Sequence, residues 1–239
     1  MAVNKYHKLA QLTHLPYGSV LKSKNEYIES VETLDKLNLP LHGDVPKNWD
    51  SLAALAILCR TFGTREECDL KHLRVLDAGG EYYSVVLPHL AQLGFEQLYC
   101  LNLSFNEPIQ NGPINYLPGD ITQTAFDNNF FDAVVCLSVI EHGIPLNRFF
   151  KEMKRIIRPG GLLIVSADYW DKPLDTGGKM AYGVPVKIFS RDDIVAINNI
   201  AAENDFNLIE LPELDTKDAT VRWLDLDFTF VYLSFTKLH

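Results

Sequence analysis

From residue 74 onward, short apolar runs alternate with segments whose apolar residues recur every three to four positions. The runs predict strands over Arg74–Ala78, Gln97–Leu101, Ile114–Leu117, Ala133–Ser138 and Leu162–Ala167. Leu146–Ile157 places Leu146, Phe149, Phe150, Met153, Ile156 and Ile157 on one helical face, then stops at Pro159-Gly160-Gly161. A further helix starts at Ser190, whose third follower, Asp193, completes a capping box before Ile194, Ile197, Ile200 and Ala201. Such alternation predicts an α/β fold with a mostly parallel sheet covered by helices on both faces. The end differs. Phe206–Leu211 and Phe228–Thr236 are strand-like with no helix between them, which predicts a closing antiparallel hairpin.

The first 45 residues are weakly periodic, whereas Trp49–Phe62 reads as a helix with Asp50 as its cap and Leu52, Leu55, Cys59 and Phe62 in register. The expected organisation is an N-terminal helical extension over residues 1–70, packed on a core domain over 71–239. No internal repeat or low-complexity linker interrupts the 239 residues.

Composition narrows the classes. Lys and Arg number 22 against 31 Asp and Glu, a net charge of −9, and no basic cluster exceeds two residues, so nucleic acid is not an expected partner. No apolar run reaches membrane-spanning length, and the N-terminus lacks a secretory pattern, so no membrane partner and a cytoplasmic location are expected. Cys59, Cys68, Cys100 and Cys136 lack the spacing of a metal knuckle; they read as buried apolar residues, with no metal site.

The chemistry lies at the strand ends. Arg74-Val-Leu-Asp77-Ala-Gly79-Gly80 is a strand ending in an acid and two glycines, where the backbone turns sharply and approaches a ligand. In an open parallel sheet, ligands bind beyond the strands' carboxyl ends. Further polar residues end the next strands: Asn102 and Ser104, then Asp120 in Pro-Gly-Asp-Ile. Phe131-Asp-Ala-Val-Val-Cys-Leu-Ser138-Val-Ile-Glu141-His142 and Arg158-Pro-Gly-Gly complete the series.

This ordered series, covering about residues 73–167, resembles the class I S-adenosylmethionine-dependent methyltransferases of the Rossmann-like, small-molecule type. The resemblance implies a seven-stranded Rossmann-like sheet, S-adenosyl-L-methionine as cofactor and methyl transfer to a small-molecule acceptor. It assigns the methionine moiety to Asp77, Gly79 and Gly80, and the ribose hydroxyls to Asn102. The adenine falls to Asp120 and Ile121, and Ser138 with Val139 forms the floor. His142, a base near neutral pH where a hydroxyl acceptor would lie, is the catalytic candidate. Neutral amine and carboxylate acceptors need no base.

The departures from the family pattern are specific. Glu81 and Tyr83 replace the later glycines of the turn, so their side chains are expected to narrow the cradle. Asn102 replaces a carboxylate, a loss of charge assistance costing about 1 kcal/mol. Pro88 delays the following helix, and Pro108, Gly112 and Pro113 leave little room for one between the second and third strands. These changes motivate a second reading, a methyltransferase-like binding protein without turnover. A nicotinamide dehydrogenase lacks its Gly-x-Gly-x-x-Gly. Nucleic-acid and protein-arginine subclasses lack their motifs after the fourth strand. The loop from Tyr169 to Gly183 reads equally as a lid or a connector, with Tyr82, Tyr83, Tyr169, Trp170 and Tyr182 as aromatic candidates around the site.

Overall fold

A computed structural model describes residues 2–63 and 70–239. Helices α1 (Ala2–Ala10), α2 (Lys24–Lys36) and α3 (Lys47–Gly63) come first, with the short strand β1 (Ser19–Val20) between α1 and α2. The central region runs β2 (Arg74–Ala78), α4 (Val86–Gln92), β3 (Gln97–Asn102), β4 (Ile109–Asn111), β5 (Ile114–Pro118), β6 (Phe131–Leu137), α5 (Leu146–Ile156) and β7 (Ile157–Tyr169). The chain closes with β8 (Met180–Ala181), β9 (Val184–Pro185), α6 (Arg191–Glu203), β10 (Phe206–Leu208), β11 (Val221–Trp223) and β12 (Leu226–Lys237).

Across the main sheet the order is β4-β5-β3-β2-β6-β7-β12, and both β1 and β10 line the outer edge of β12. The five strands from β5 to β7 are parallel; β12 enters antiparallel to β7, with Thr229 opposite Tyr169 and Thr236 opposite Leu162. This is the Rossmann-like arrangement, with β1, β4 and β11 added to the expected seven strands. The alternation of β2 shows how the sheet is covered. Val75 packs in one cluster with α1–α4, and Leu76 and Ala78 pack in the other with α5 and α6.

Several boundaries refine the sequence reading. Between β3 and β5 there is no helix: Gly112, at φ +58°, turns β4 back onto β5 as an antiparallel hairpin. The closing antiparallel unit has two parts. β10 pairs with the end of β12, whereas the tight hairpin is β11–β12, turning through Leu224 and Asp225, both at positive φ. α4 starts at Val86, with seven residues between it and β2; Pro88 sits in its first turn, where a missing N–H removes no helical bond. The capping box of Ser190 and Asp193 is present.

Asp50 is not a cap. α3 begins at Lys47, and Asp50 lies inside it, fully buried. The helix is buried around nearly its whole circumference, because it sits against the sheet on one side and against α1 and α2 on the other. Ala53, Ala54 and Ala56 allow that close approach, while Leu52, Leu55, Ile57, Leu58 and Phe62 each contribute roughly 2 kcal/mol of apolar burial. Cys59, Cys100 and Cys136 are buried and free, and burial pushes their thiols up; Cys68 lies outside the described residues. Among the described residues no helix is long and apolar enough to cross a membrane.

Candidate functional site

β2, β6 and β7 end side by side, and beyond their carboxyl ends lies a cavity of about 500 Å³. The turn after β2 forms one wall. Gly79, at φ +88°, donates its N–H to Leu101 O at 2.8 Å; a Cβ there would stand 2.6 Å from Val139 Cγ1. A Cβ on Gly80 would meet the Asp77 carboxylate at 2.3 Å. Both glycines are therefore required by what lies against them, and the Asp77 side chain occupies the space that Gly80 leaves.

The two substituted turn positions leave the cavity open. Tyr83, 64% exposed, stands at the edge of the cavity with its ring edge-on to His42. Glu81 turns toward β3, where its Oε1 accepts from Asn102 Nδ2 at 3.2 Å and Ser104 Oγ at 3.1 Å. Asn102 also donates to Gly79 O and Gly80 O, at 2.9 and 3.0 Å, and its Oδ1 accepts from Ser104 N. Its polar atoms brace the glycine turn. The carboxylate missing from position 102 is thus present beside it, on Glu81, which lines the cavity where Asn102 does not.

The floor comes from β6 and its loop. Ser138 adopts φ +54°, a conformation costing a non-glycine residue on the order of 1 kcal/mol or more, and its N–H is shared between Ser166 O and Ser166 Oγ. Its Oγ accepts from Lys47 Nζ. His142 follows, half-buried, with its ring 4.8 Å from that of Tyr182; its Nδ1 is buried without a hydrogen-bond partner. Burial and then the charge of Lys47 hold its pKa below the usual histidine value. The imidazole is therefore neutral near pH 7, as a base requires.

The opposite wall is built by α3 and β7, and the sequence reading did not find it. Lys47, Asp50, Glu141 and Asp168 all line the cavity. Asp50 Oδ2 accepts from Ser166 Oγ at 2.6 Å, whereas Oδ1 is buried with no partner. Glu141 Oε2 is in the same condition. Burial raises every carboxyl in this group. Asp77 is pushed up to about 7 by burial and then by Asp50, and Asp168 to about 6 by burial against the opposing pull of Lys47. Glu141 rises well above its ordinary value by burial and then by Asp168, and Asp50 rises by burial against Lys47. The usable signal was Asp168, an acid next to a predicted strand end, and Lys47-Asn-Trp-Asp50, a polar start on an apolar helix.

Of the residues singled out from the sequence, Asp77, Gly79, Gly80, Ser138 and His142 meet in the cavity; Asn102, Asp120 and Ile121 do not line it. Asp120 Oδ1 closes a local turn by accepting from Thr122 N and Oγ1, at 2.7 and 2.8 Å, and Ile121 is buried beside Leu101 in the core cluster. Two aromatic candidates belong to packing: Tyr169 is fully buried and donates to Leu214 O, and Tyr82 packs on Phe105 and Tyr116. The loop after β7 contains the β8–β9 hairpin, whose turn residue Tyr182 stands against His142.

Residues 76–165 match the family model described as a methyltransferase domain. The chain is 28% identical over 120 residues to a sterol 24-C-methyltransferase of Yarrowia lipolytica, an alignment covering 46% of this chain and 30% of that protein. It is 32% identical over 105 residues to a ubiquinone biosynthesis O-methyltransferase of Rickettsia canadensis, covering 41% of this chain and 44% of that one. The matches thus span less than half the length of these curated relatives. An S-adenosylmethionine-dependent methyltransferase from Mesorhizobium loti superposes with a TM-score of 0.53 at 13% identity, over 80% of this chain and 97% of its own. Residues 76–165 thus match a methyltransferase domain, and the fold is shared with S-adenosylmethionine-dependent methyltransferases of known structure.

Proposed function

We propose that the chain transfers a methyl group from S-adenosyl-L-methionine to a small-molecule acceptor held in this cavity. The observation that carries the reading is the Gly79–Gly80 turn beneath Asp77, facing a cavity of about 500 Å³ at the ends of the parallel strands. When bound, the cofactor supplies an electrophilic methyl on a positively charged sulfur. Asp77 takes the ammonium of the methionine part; its raised pKa places the carboxyl where an arriving cation converts it to the charged form. Ser138 and Val139 form the floor. Glu81 takes the ribose hydroxyls in place of Asn102, which holds the turn. Asp120 and Ile121, which the resemblance gives to the adenine, lie outside this cavity, in a local turn and the core cluster.

The protein's contribution to rate is alignment: a nucleophile held in line at about 3–3.5 Å, away from water, gains most of the acceleration available to such a displacement. For a hydroxyl acceptor, His142 is the base; a neutral amine needs none. The reading without turnover was motivated by Glu81, Tyr83 and Asn102. Glu81 and Tyr83 both line the cavity yet leave about 500 Å³ open, and Asn102 supports the turn, which favours the reading with turnover. Calorimetric titration with S-adenosyl-L-methionine tests the proposal: one saturable site is expected. Absence of both heat and a thermal shift at millimolar ligand overturns it.

A further inference from the structure

Asp77 sits at the turn, but three further carboxylates line the cavity on its other side, and the cofactor assignment leaves them unused. By the sheet register Asp77 lies level with Val135 and Ile164, so Asp168 is two strands over and four residues further along. That separation is roughly 10 Å across the strands and about 13 Å along them. Asp50 and Glu141 complete the far wall, at 1% and 2% exposure. Each has one carboxylate oxygen, Asp50 Oδ1 and Glu141 Oε2, that is buried and without a hydrogen-bond partner. A buried acceptor left unmade costs roughly 1–3 kcal/mol, more when charged.

The cation already present does not satisfy them. Lys47 Nζ donates to Ser138 Oγ and stands 3.7 Å from the centre of the Phe230 ring; among the described residues it makes no ion pair with Asp50, Glu141 or Asp168. Arg222, at the cavity mouth, is paired with Asp225 and Asp227. Three carboxylates thus face one lysine, and the remaining wall is aromatic, from Trp223, Phe228 and Phe230. A cavity lined both by carboxyls with unpartnered oxygens and by aromatic side chains suits an ammonium group, which is attracted to charge and to π-electrons.

We infer that the acceptor is an amine-bearing small molecule, bound as its ammonium by Asp50 Oδ1 and Glu141 Oε2, with Asp168 behind them and the Trp223–Phe230 wall against its carbon skeleton. The inference deepens the methyltransferase reading and rests on it. A neutral sugar or alcohol offers these oxygens fewer donors and no charge; an ammonium group supplies both and draws the carboxyls into their charged form on binding.

The experiment titrates the full chain with phenethylamine and, separately, with the nearly isosteric neutral 2-phenylethanol, in saturating S-adenosylhomocysteine so that Asp77 is already engaged. Phenethylamine is expected to bind at one site at least tenfold more tightly than the alcohol. Glu141→Gln and Asp50→Asn are each expected to abolish that preference, and Glu141→Gln to change S-adenosylhomocysteine affinity less than twofold. Asp168→Asn serves if circular dichroism shows that Asp50→Asn is unfolded. Equal affinities for the two probes overturn the inference, as does a preference that survives Glu141→Gln. Because cofactor-product binding is measured in the same series, the two readings separate. Cofactor binding without an amine preference sinks this inference alone, and an amine preference without cofactor binding sinks the methyl-transfer reading while leaving the ammonium site.

Discussion

Asp50 Oδ2 lies 2.6 Å from Ser166 Oγ, a contact between residues 116 positions apart that fastens the start of α3 to the parallel strand β7. Ser166 Oγ also accepts from the N–H of Ser138, so one hydroxyl supports both the buried acid and the strained floor residue. Ser166→Ala removes both bonds and leaves a second orphaned oxygen on Asp50. It is expected to cost about 2–3 kcal/mol in urea unfolding. Ser166→Cys is expected to recover little, since a thiol is a weak donor and acceptor.

The glycine turn makes a sharper demand. Gly80→Ala places a methyl against the Asp77 carboxylate, so the acid must rotate. Cofactor affinity is expected to fall more than tenfold, with fold stability lowered by about 1 kcal/mol or less beyond the cost of that rotation. Gly79→Ala combines a positive φ with contact on Val139 and is expected to lose about 2 kcal/mol or more of stability. Calorimetry and denaturant melts on the two variants separate the effects.

On the proposed reading, Glu81 holds the ribose hydroxyls while Asn102 supports the turn. Glu81→Gln is expected to weaken S-adenosyl-L-methionine about five- to tenfold by removing charge-assisted acceptance. Asn102→Ala is expected to reduce protease resistance of the turn as well, because the carbonyls of Gly79 and Gly80 lose their donor. If Glu81→Gln leaves affinity unchanged, the ribose hydroxyls are held by another group.

The buried titratable groups set opposite pH limits on stability. His89 is fully buried, with Nε2 2.6 Å from Pro40 O, and burial lowers its pKa to about 4. The unfolded chain binds that proton more readily, so stability is lost as pH falls from the ordinary histidine value of about 6.5 toward about 4. Asp77 acts on the other limb. Its folded pKa is raised to about 7, so the folded state holds the proton longer, and stability declines as pH rises from about 4 toward about 7. Thermal melts across this range are expected to show Asp77→Asn flattening the neutral limb, and His89→Gln flattening the acid limb if the variant retains its packing.

The sheet and its glycine turn were legible in the sequence because their signals are local: an apolar run, an acid, two glycines. The same holds for the Ser190 cap. The far wall was not legible. Asp50 reads as a cap from its neighbours, and only the register of α3 against β7 brings it to Ser166. The amphipathic count also missed that α3 is covered on several sides, because alanines at 53, 54 and 56 give no periodic signal but admit neighbouring helices. Asn102 reads from its position as a ligand, while its contacts to the turn carbonyls go with where Glu81 points. That direction depends on the backbone path of residues 79–84, which no spacing rule specifies.

α3 has a consequence for how such a protein can change. Its first turn presents Lys47 and Asp50 to the cavity, and the rest of the same helix fills the middle of the fold. On the proposed reading, selectivity is anchored in an element that tolerates little repacking, and exchanging it between homologous scaffolds carries a folding cost. The exposed Tyr182 hairpin and the β11–β12 turn carry no such burden, and diversification toward new acceptors is cheapest there.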